Sequence, residues 1–414
     1  MAQDDARIGP DLDVFPDGGL RAWLCIAGGF CTVFASSGWL NCIGVFQDYY
    51  QTHQLSAYSP STVAWIPATE SFVLFFLGTI SGKLADDYGP RWPLLFGSLL
   101  HVYGLMMLSL SNKYYQIFLS QSIASAIGIG FLFCPTIVAA ATWFNKYRAL
   151  AFGIIITGSS VGGVVLPILV TYLLEEFGFG WAMRIIGFFV LGLLIFGNLA
   201  IKSRLPPIKK PWLLKEYIAP FWEVPFLLLA IGTFFFFLGC FLPFTFIVVE
   251  AKEVGVPANL TNYLIPIICA AAIFGRTFPA HLGDVYGVFN ICIISTIFSG
   301  VISLTLWLPA TSTAPIVTFA ALYGFASGLT LVLMPALVAS ISDIRNLGFR
   351  VGTLYAFSSF GGLFGSPIAG AIVSAQHGSY FGLKIFCGLT FMISGVFILM
   401  SRIKLVGARL LVKK

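Results

Sequence analysis

The sequence predicts an all-α membrane protein of about twelve transmembrane helices, arranged as two pseudo-symmetric bundles of six. Three observations predict this fold class. The composition is too apolar for a water-soluble chain, apolar runs of membrane-spanning length follow one another along the sequence, and polar patterns of the first half return in the second.

The composition predicts that most of the chain lies in lipid. Of the 414 residues, 58% are apolar and 10% are charged, whereas a soluble domain carries about a quarter charged residues. The 41 phenylalanines agree with helices that are apolar on their lipid-facing sides as well as on their packed sides. The lipid bilayer is therefore a predicted partner of this chain.

Apolar runs separated by short polar connections predict twelve spans, each near the ~20 residues that a helix needs to cross a bilayer. The acidic first residues lack the basic segment of a cleaved signal peptide, so the first run is predicted to be a retained span. The predicted spans are 22–46, 60–82, 92–111, 115–142, 149–174, 181–202, 222–249, 260–282, 288–309, 315–341, 350–375 and 380–401.

Lysine and arginine are distributed unevenly between the two ends of the spans. With both termini in the cytoplasm, the inner segments hold eighteen of these residues and the outer segments hold four. Because basic residues favour the cytoplasmic side, this orientation is predicted. The plasma membrane is the default location.

A basic, proline-rich stretch at 203–221 separates the sixth span from the seventh and predicts a cytoplasmic linker. The predicted domain organisation follows from it. A cytoplasmic tail covers 1–21, six-helix bundles cover 22–202 and 222–401, and a basic cytoplasmic tail covers 402–414.

Two polar patterns recur at almost the same spacing. GKLADDYG begins at Gly82 and AHLGDVYG at Ala280, so that Asp284 follows Asp86 by 198 residues. In a second pattern, Gly153 is followed six residues later by Ser-Ser-x-Gly-Gly, and the same pattern begins again 199 residues later at Gly352. These matches indicate a duplicated six-helix unit, a construction in which substrate binds between the halves near the membrane midplane.

The segment GKLADDYGPR resembles the motif that the major facilitator superfamily carries between its second and third helices. Gly82 is suited to close helix packing, and Asp86 can accept hydrogen bonds from a helix N-terminus and pair with a basic group. We interpret Gly82, Asp86, Arg91 and the repeated Asp284 as a conformational latch that breaks and re-forms as the halves rock. A plain loop turn is the alternative interpretation.

Two further segments are similar to motifs of the monocarboxylate transporter family, in the form seen in its fungal branch. The residues that carry this similarity lie at the start of the first span and of the fifth: Asp17, Gly18, Gly19, Trp23, Lys146, Arg148 and Gly153. The resemblance covers essentially the whole chain. It implies transport of small organic anions or related metabolites, often coupled to protons.

The chain departs from animal members of that family at two of three positions. Those members have a lysine in helix one and an Asp–Arg pair in helix eight, where this sequence has Asn41, Ala272 and Arg276. Since only the arginine is kept, a broader organic metabolite is favoured over a lactate-like substrate. Fungal relatives have diverse substrates, including secondary metabolites exported from biosynthetic clusters.

Ionisable residues inside spans are costly and are therefore functional candidates. Arg276 lies ~12 Å along a helix from Asp284, and its guanidinium is suited to bind a substrate carboxylate. A structural pair with an acidic side chain or with carbonyl groups is the alternative.

Glu70 lies within the second span, where a carboxyl group that exchanges a proton would couple transport to protons. A hydrogen bond between helices is its alternative role.

Neutral and aromatic side chains complete the predicted substrate site. Asn41 offers an amide, and the phenylalanine-rich seventh span offers Phe237 and Phe241 as contacts with a bulky or aromatic substrate. Lipid contact and core packing are the alternatives for these phenylalanines. The serine pairs at 159–160 and 358–359 are suited to lining the cavity or to close helix packing.

We interpret the chain as a secondary transporter that moves a small organic acid or secondary metabolite by alternating access. We expect coupling to protons, as in a symporter, and a role as the efflux transporter of a fungal biosynthetic cluster. Uptake of a small monocarboxylate is one alternative, and a metabolite-sensing receptor that does not transport is an alternative of another class.

The sequence has no GxxxxGK[ST] or HExxH motif, and no GxSxG in a strand–turn–helix context, so neither an enzyme nor an ATP-driven pump is predicted. No cofactor, metal or nucleic-acid partner is predicted.

Overall fold

The computed structural model describes residues 15–407, apart from residues 59, 208, 210–213 and 262. Every regular element in this part of the chain is helical. Most of the predicted N-terminal tail, part of the predicted linker and the last residues of the predicted C-terminal tail lie outside the described residues.

The described helices form twelve membrane-crossing rods, named TM1 to TM12. Nine helical segments in the described part of the chain are long and apolar enough to cross a bilayer. One of these, Arg148–Ala200, bends at Gly178, where φ is 69°, and supplies two rods. Two further rods come from the interrupted helix TM2 and the short helix TM3. The all-helical fold class predicted from the sequence is confirmed.

The rods have the following bounds: TM1 Leu20–Thr52, TM2 Pro60–Phe76 with Gly78–Tyr88, TM3 Arg91–Leu108, TM4 Tyr114–Ala141, TM5 148–177, TM6 179–200, TM7 Val224–Glu253, TM8 Leu264–Tyr286, TM9 Val288–Trp307, TM10 Thr313–Ser340, TM11 Leu347–Ala375 and TM12 Phe381–Val406. The helix Leu214–Trp222 precedes TM7. TM1 and TM12 extend beyond their predicted ends at 46 and 401, because the helices continue through polar residues at the membrane surface.

TM1 and TM7 are each interrupted near their middle. The helical segments are Leu20–Ala35, Trp39–Cys42 and Ile43–Thr52 in TM1, and Val224–Cys240 and Leu242–Glu253 in TM7. Pro243, at the start of the second TM7 segment, lacks the N–H that a continuous helix would use. Since TM1 and TM7 occupy equivalent places in the two repeats, the shared break is consistent with a duplicated unit.

The first six rods and the last six meet where TM2 packs on TM11 and where TM5 packs on TM8. A Cβ atom on Gly82 would lie 2.0 Å from the Gly348 carbonyl oxygen, and one on Gly153 would lie 2.1 Å from the Arg276 carbonyl oxygen. Only glycine permits backbones to approach so closely. Both contacts lie toward the end of the molecule that carries Asp86 and Asp284, which we call the motif side.

Large apolar side chains cover the outside of the rods. Phe188, Leu199 and Phe274 are each more than 60% exposed. A surface with so many exposed apolar residues would be unstable in water but is the expected surface of a protein solvated by lipid.

Candidate substrate-binding site

Arg276 lies at the contact between TM8 and TM5 and is only 8% exposed. Its Nη1 atom donates to the Ile156 carbonyl oxygen at 3.0 Å and to Ser159 Oγ at 2.7 Å. Its Nε–H has no hydrogen-bond partner among the described residues, and no ion pair described in this structure includes it. Arg276 therefore contacts a carbonyl group but no carboxylate. A buried cation with an unused donor is costly unless an anion pairs with it.

Ser159 connects Arg276 to the predicted residue Asn41. Asn41 Nδ2 donates to the Ser159 carbonyl oxygen at 3.1 Å, and Cys269 Sγ lies 4.0 Å from Asn41 Oδ1. We call Asn41, Ser159, Cys269 and Arg276 the Arg276 cluster. Its members come from TM1, TM5 and TM8, so the cluster bridges the two groups of six rods, where the substrate of a two-half transporter binds.

The second serine pair does not join this cluster. Ser358 Oγ lies within hydrogen-bond distance of Thr233 Oγ1 at 2.8 Å and of the Leu354 carbonyl oxygen at 2.8 Å. Ser358 therefore fastens TM11 to TM7 within the last six rods. Of the two candidate pairs, only that at 159–160 contacts Arg276.

Aromatic rings from four helices pack together beside the Arg276 cluster. Phe75 of TM2, Phe133 of TM4, Phe237 of TM7 and Tyr355 of TM11 form five ring contacts, with centroids 5.0 to 6.3 Å apart. We call these four residues the aromatic cluster. Tyr355 is close enough to Arg276 to interact with it electrostatically. The aromatic cluster and the Arg276 cluster are thus neighbours in the centre of the molecule.

The two predicted phenylalanines belong to this region. Phe237 is 1% exposed, and Phe241 contacts it with ring centroids 6.0 Å apart. In this structure Phe237 packs in the protein core. Its contact with substrate stays a prediction.

Glu70 is fully buried, and its hydrogen bonds lie within the first six rods. Its Oε2 atom accepts from Gln121 Nε2 at 3.0 Å, and Gln121 Oε1 accepts from the Tyr50 hydroxyl at 2.7 Å. Trp39 Nε1–H faces the Glu70 carboxyl group, but neither it nor Glu70 Oε1 makes a hydrogen bond of normal geometry among the described residues. Glu70 therefore makes a helix-to-helix hydrogen bond, and its proton-coupling role stays a prediction.

Asp86 and Asp284 make equivalent contacts on the motif side. The Asp86 carboxylate accepts the N–H groups of Gly348 at 3.1 Å and Phe349 at 2.8 Å, at the start of TM11. The Asp284 carboxylate accepts the N–H groups of Ala149 at 2.9 Å and Leu150 at 3.0 Å, at the start of TM5. Each carboxylate satisfies free N–H groups and lies near the positive end of a helix dipole. Both contacts join the first six rods to the last six.

Arg91 differs from the other proposed latch residues. Its side chain is exposed, and no described hydrogen bond or ion pair joins it to Asp86. A buried ion pair one turn away, between Lys83 Nζ and Asp87 Oδ1 at 3.0 Å, supplies the nearby opposite charges instead.

The two segments that resemble monocarboxylate transporter motifs contact each other. Asp17 Oδ1 accepts the N–H groups of Asn145 at 2.7 Å and Lys146 at 2.8 Å. Gly19 adopts a φ of 91°, which suits glycine, immediately before TM1 begins. The Trp23 ring packs edge-on against Phe144, with centroids 5.4 Å apart. These contacts hold the chain before TM1 against the loop that leads into TM5.

Arg148 lies between this junction and the Asp284 contact. Its Nε atom donates to the Phe144 carbonyl oxygen at 3.0 Å, and its guanidinium lies over the Phe15 ring. The Lys146 ammonium lies over the Tyr147 ring. The predicted motif residues therefore surround the start of TM5, whereas a Cβ atom on Gly18 would meet nothing within 4 Å.

Sequence reasoning missed several residues of the central region. Phe75 and Phe133 carried no signal, because packed and lipid-facing phenylalanines look alike in an apolar span. Cys269 carried no signal either, because a cysteine in an apolar span is typical of a small buried hydrophobe. A signal was available for Tyr355, since a phenol inside an apolar span needs a polar neighbour.

The interrupted helices, the paired Asp contacts and the central buried arginine define a membrane transporter built from two related halves. The model of the Major Facilitator Superfamily matches residues 25–280 and 229–410. The chain belongs to this superfamily, as the sequence predicted. The monocarboxylate transporter subfamily stays a prediction.

Relatives and solved structures agree with this assignment. The chain is 48% identical to "MFS-type transporter 1" of Ophiocordyceps sp. (strain BCC 1869), covering 100% of this chain and 92% of the relative. It is 40% identical to "Fujikurins efflux protein" of Gibberella fujikuroi, covering 96% and 85%. The crystal structure of the transporter FucP in the outward conformation matches with a TM-score of 0.72 at 13% identity, over 91% of this chain and 98% of FucP. At that identity the match with FucP shows the fold alone.

Proposed function

We propose that this chain exports an acidic fungal secondary metabolite and binds the acidic group at Arg276. The observation that carries the proposal is the unused Nε–H of a buried arginine without a carboxylate partner among the described residues. An anion that accepts from this donor would supply the missing hydrogen bond and the missing charge. Export is supported by the relative from Gibberella fujikuroi, which is named as an efflux protein.

The proposed cycle is alternating access of the monocarboxylate-porter type, between bundles at 22–202 and 222–401. The motif side faces the cytoplasm of a plasma-membrane protein, with both termini there. The Asp86 and Asp284 contacts hold this side closed, and they break when the substrate enters from the cytoplasm. Because each carboxylate satisfies N–H groups of the opposite half, its contact can form in only one of the two conformations.

Glu70 is the proposed proton-coupling residue. Its carboxyl group is fully buried and faces Gln121 of TM4 and Trp39 of TM1, so a proton on Glu70 would change the hydrogen bonding within TM1, TM2 and TM4. The Tyr50–Gln121–Glu70 chain reaches the outer segment of TM1. Protonation of Glu70 would thereby influence the position of an interrupted helix.

Counterflow in proteoliposomes tests this function. Vesicles preloaded with a panel of organic acids and neutral metabolites are mixed with labelled candidates, with and without a pH gradient. We expect saturable exchange of an acid that falls about 10- to 100-fold in Arg276→Gln, because a charge-assisted hydrogen bond is lost. Arg21→Gln, which changes an exposed arginine, is the matched control. Exchange that is unaffected by Arg276→Gln would contradict the anion site.

Two further outcomes separate the remaining alternatives. Loss of pH dependence in Glu70→Gln, with exchange retained, would support proton coupling through Glu70. Saturable binding without any flux would favour the receptor interpretation over transport.

A further inference from the structure

We propose that the aromatic cluster determines substrate specificity, so that the transported acid carries a planar, apolar ring system beside its acidic group. This inference rests on the proposed function, in which Arg276 binds the acidic group. We expect the ring system of the substrate to contact Phe75, Phe133, Phe237 and Tyr355.

The first argument is the position of the aromatic cluster across the two groups of rods. Phe75 and Phe133 belong to the first six rods, whereas Phe237 and Tyr355 belong to the last six. Phe75 is 5.0 Å from Phe237 and 5.6 Å from Tyr355, measured between ring centroids. These contacts therefore cross the surface along which the halves must separate during transport.

The second argument is ring geometry. Phe75 and Tyr355 lie nearly parallel, with an interplanar angle of 23°, whereas Phe75 meets Phe237 and Phe133 edge-on, at 88° and 82°. A parallel pair bordered by edge-on rings can accept a planar ring in place of one partner, or between its faces once the pair has moved apart.

The third argument is what happens when TM2 and TM11 part. Gly78 lies three residues after Phe75 and packs on Gly352, which lies three residues before Tyr355; a Cβ atom on Gly78 would lie 3.4 Å from Gly352 Cα. Separation of this crossing would remove Tyr355 from Phe75 and expose two apolar faces. A planar substrate would cover both faces, but a small aliphatic acid would leave them in contact with water.

The fourth argument is the link between the ring contacts and the charge. Tyr355 belongs to the aromatic cluster and lies within electrostatic range of the Arg276 guanidinium. Its hydroxyl makes no hydrogen bond to any of the described residues, so it is available to a polar substituent. An acid whose charged group reaches Arg276 would therefore place the rest of its structure near Tyr355.

Ligand-dependent thermal stabilisation of the purified full-length chain tests the inference. The probes are 2-naphthoate, propionate and the neutral 2-naphthalenemethanol. We expect the wild type to bind 2-naphthoate at least tenfold more tightly than propionate. Phe75→Leu and Phe237→Leu should lower the affinity for 2-naphthoate about three- to tenfold and leave that for propionate unchanged, because only the ring loses aromatic contacts.

Controls separate this effect from misfolding. Phe235→Leu alters the same helix, but its ring stacks on Phe397 of TM12, 6.0 Å away, so it should leave the selectivity intact. Tyr355→Phe keeps the ring and should retain most of the selectivity for 2-naphthoate. If Phe75→Leu and Phe237→Leu weaken both acids equally, or if the wild type does not distinguish them, the inference is overturned.

The proposed function and this inference fail in different ways. If Arg276→Gln weakens both acids while the phenylalanine variants leave selectivity unchanged, the anion site stands and the aromatic specificity is wrong. If 2-naphthalenemethanol binds as tightly as 2-naphthoate, needs Phe75 and is unaffected by Arg276→Gln, the aromatic site stands and the anion proposal is wrong.

Discussion

Asp284 accepts the Ala149 N–H at 2.9 Å across 135 residues of sequence, joining the end of TM8 to the start of TM5. Asp86 makes the same kind of contact with Gly348 at 3.1 Å, across 262 residues. The donors Ala149 and Gly348 are 199 residues apart, as the repeat requires. The duplicated sequence therefore produces two contacts of one geometry, each linking one half to the other.

We expect that removing either carboxylate favours the conformation that is open on the motif side. Asp86→Ala and Asp284→Ala each remove two charge-assisted hydrogen bonds, and one such bond contributes about 1.5–3 kcal/mol. The equilibrium between the two conformations should then shift by tenfold or more per site. Distances between spin labels on the motif sides of TM5 and TM8, or of TM2 and TM11, measure the shift.

Arg91→Gln is the control for this prediction. Arg91 is exposed and makes no described contact with Asp86, so the label distances should match the wild type. A shift as large as that of Asp86→Ala would show that Arg91 takes part in the latch, as the sequence predicts.

Gly153→Ala should impair both folding and transport. The added Cβ would lie 2.1 Å from the Arg276 carbonyl oxygen, so TM5 and TM8 must move apart at the Arg276 cluster. Overpacking of this kind costs typically about 1–3 kcal/mol. A lower Tm in detergent and a lower counterflow rate are the expected results. Gly192→Ala, where nothing lies within 4 Å of the new atom, should leave both values unchanged or slightly raised.

A buried ion pair fastens the outer segment of TM7 to TM12. Lys384 Nζ pairs with Glu250 Oε1, and Trp307 Nε1 donates to Glu250 Oε2 at 2.6 Å. Lys384→Met should lower the Tm strongly, because an unpaired buried charge costs about 3–5 kcal/mol. The double variant Lys384→Met/Glu250→Gln should recover much of the loss, since neither charge remains. A double variant less stable than Lys384→Met would contradict this explanation, and Lys252→Met, at an exposed lysine, is the control.

Asp17 should stabilise the start of TM5. Asp17→Ala removes the acceptor for the N–H groups of Asn145 and Lys146, a loss comparable to that of a helix cap at about 0.5–2 kcal/mol. We expect a modest fall in Tm and faster proteolysis of the TM4–TM5 loop. Asp17→Asn, which keeps one acceptor oxygen, should show a smaller effect. Equal effects of both variants would indicate that the charge matters rather than the hydrogen bonds.

Much of the architecture could be predicted from the sequence because the bilayer permits few kinds of membrane-spanning structure. A helix must supply about 20 apolar residues to cross and must satisfy its own backbone, so composition and spacing predict the spans. The repeat at Asp86 and Asp284 identified the duplication and the type of contact that both carboxylates make. Asn41 and Arg276 were also recognisable, because polar side chains in apolar helices are rare.

The sequence by itself therefore determined the solvent of this protein, its helices, its duplication and its few intramembrane polar groups. Only the tertiary structure decided which of them meet: Arg276 with Ser159 across 117 residues, Asn41 with Ser159 across 118, and Phe75 with Tyr355. It also placed Glu70 with Gln121 and left Arg91 exposed. The physical reason is that lipid-facing and packed side chains of a membrane helix are both apolar, so the sequence does not show which face of the helix each one occupies. Helix packing, set by glycine contacts between distant segments, chooses their neighbours.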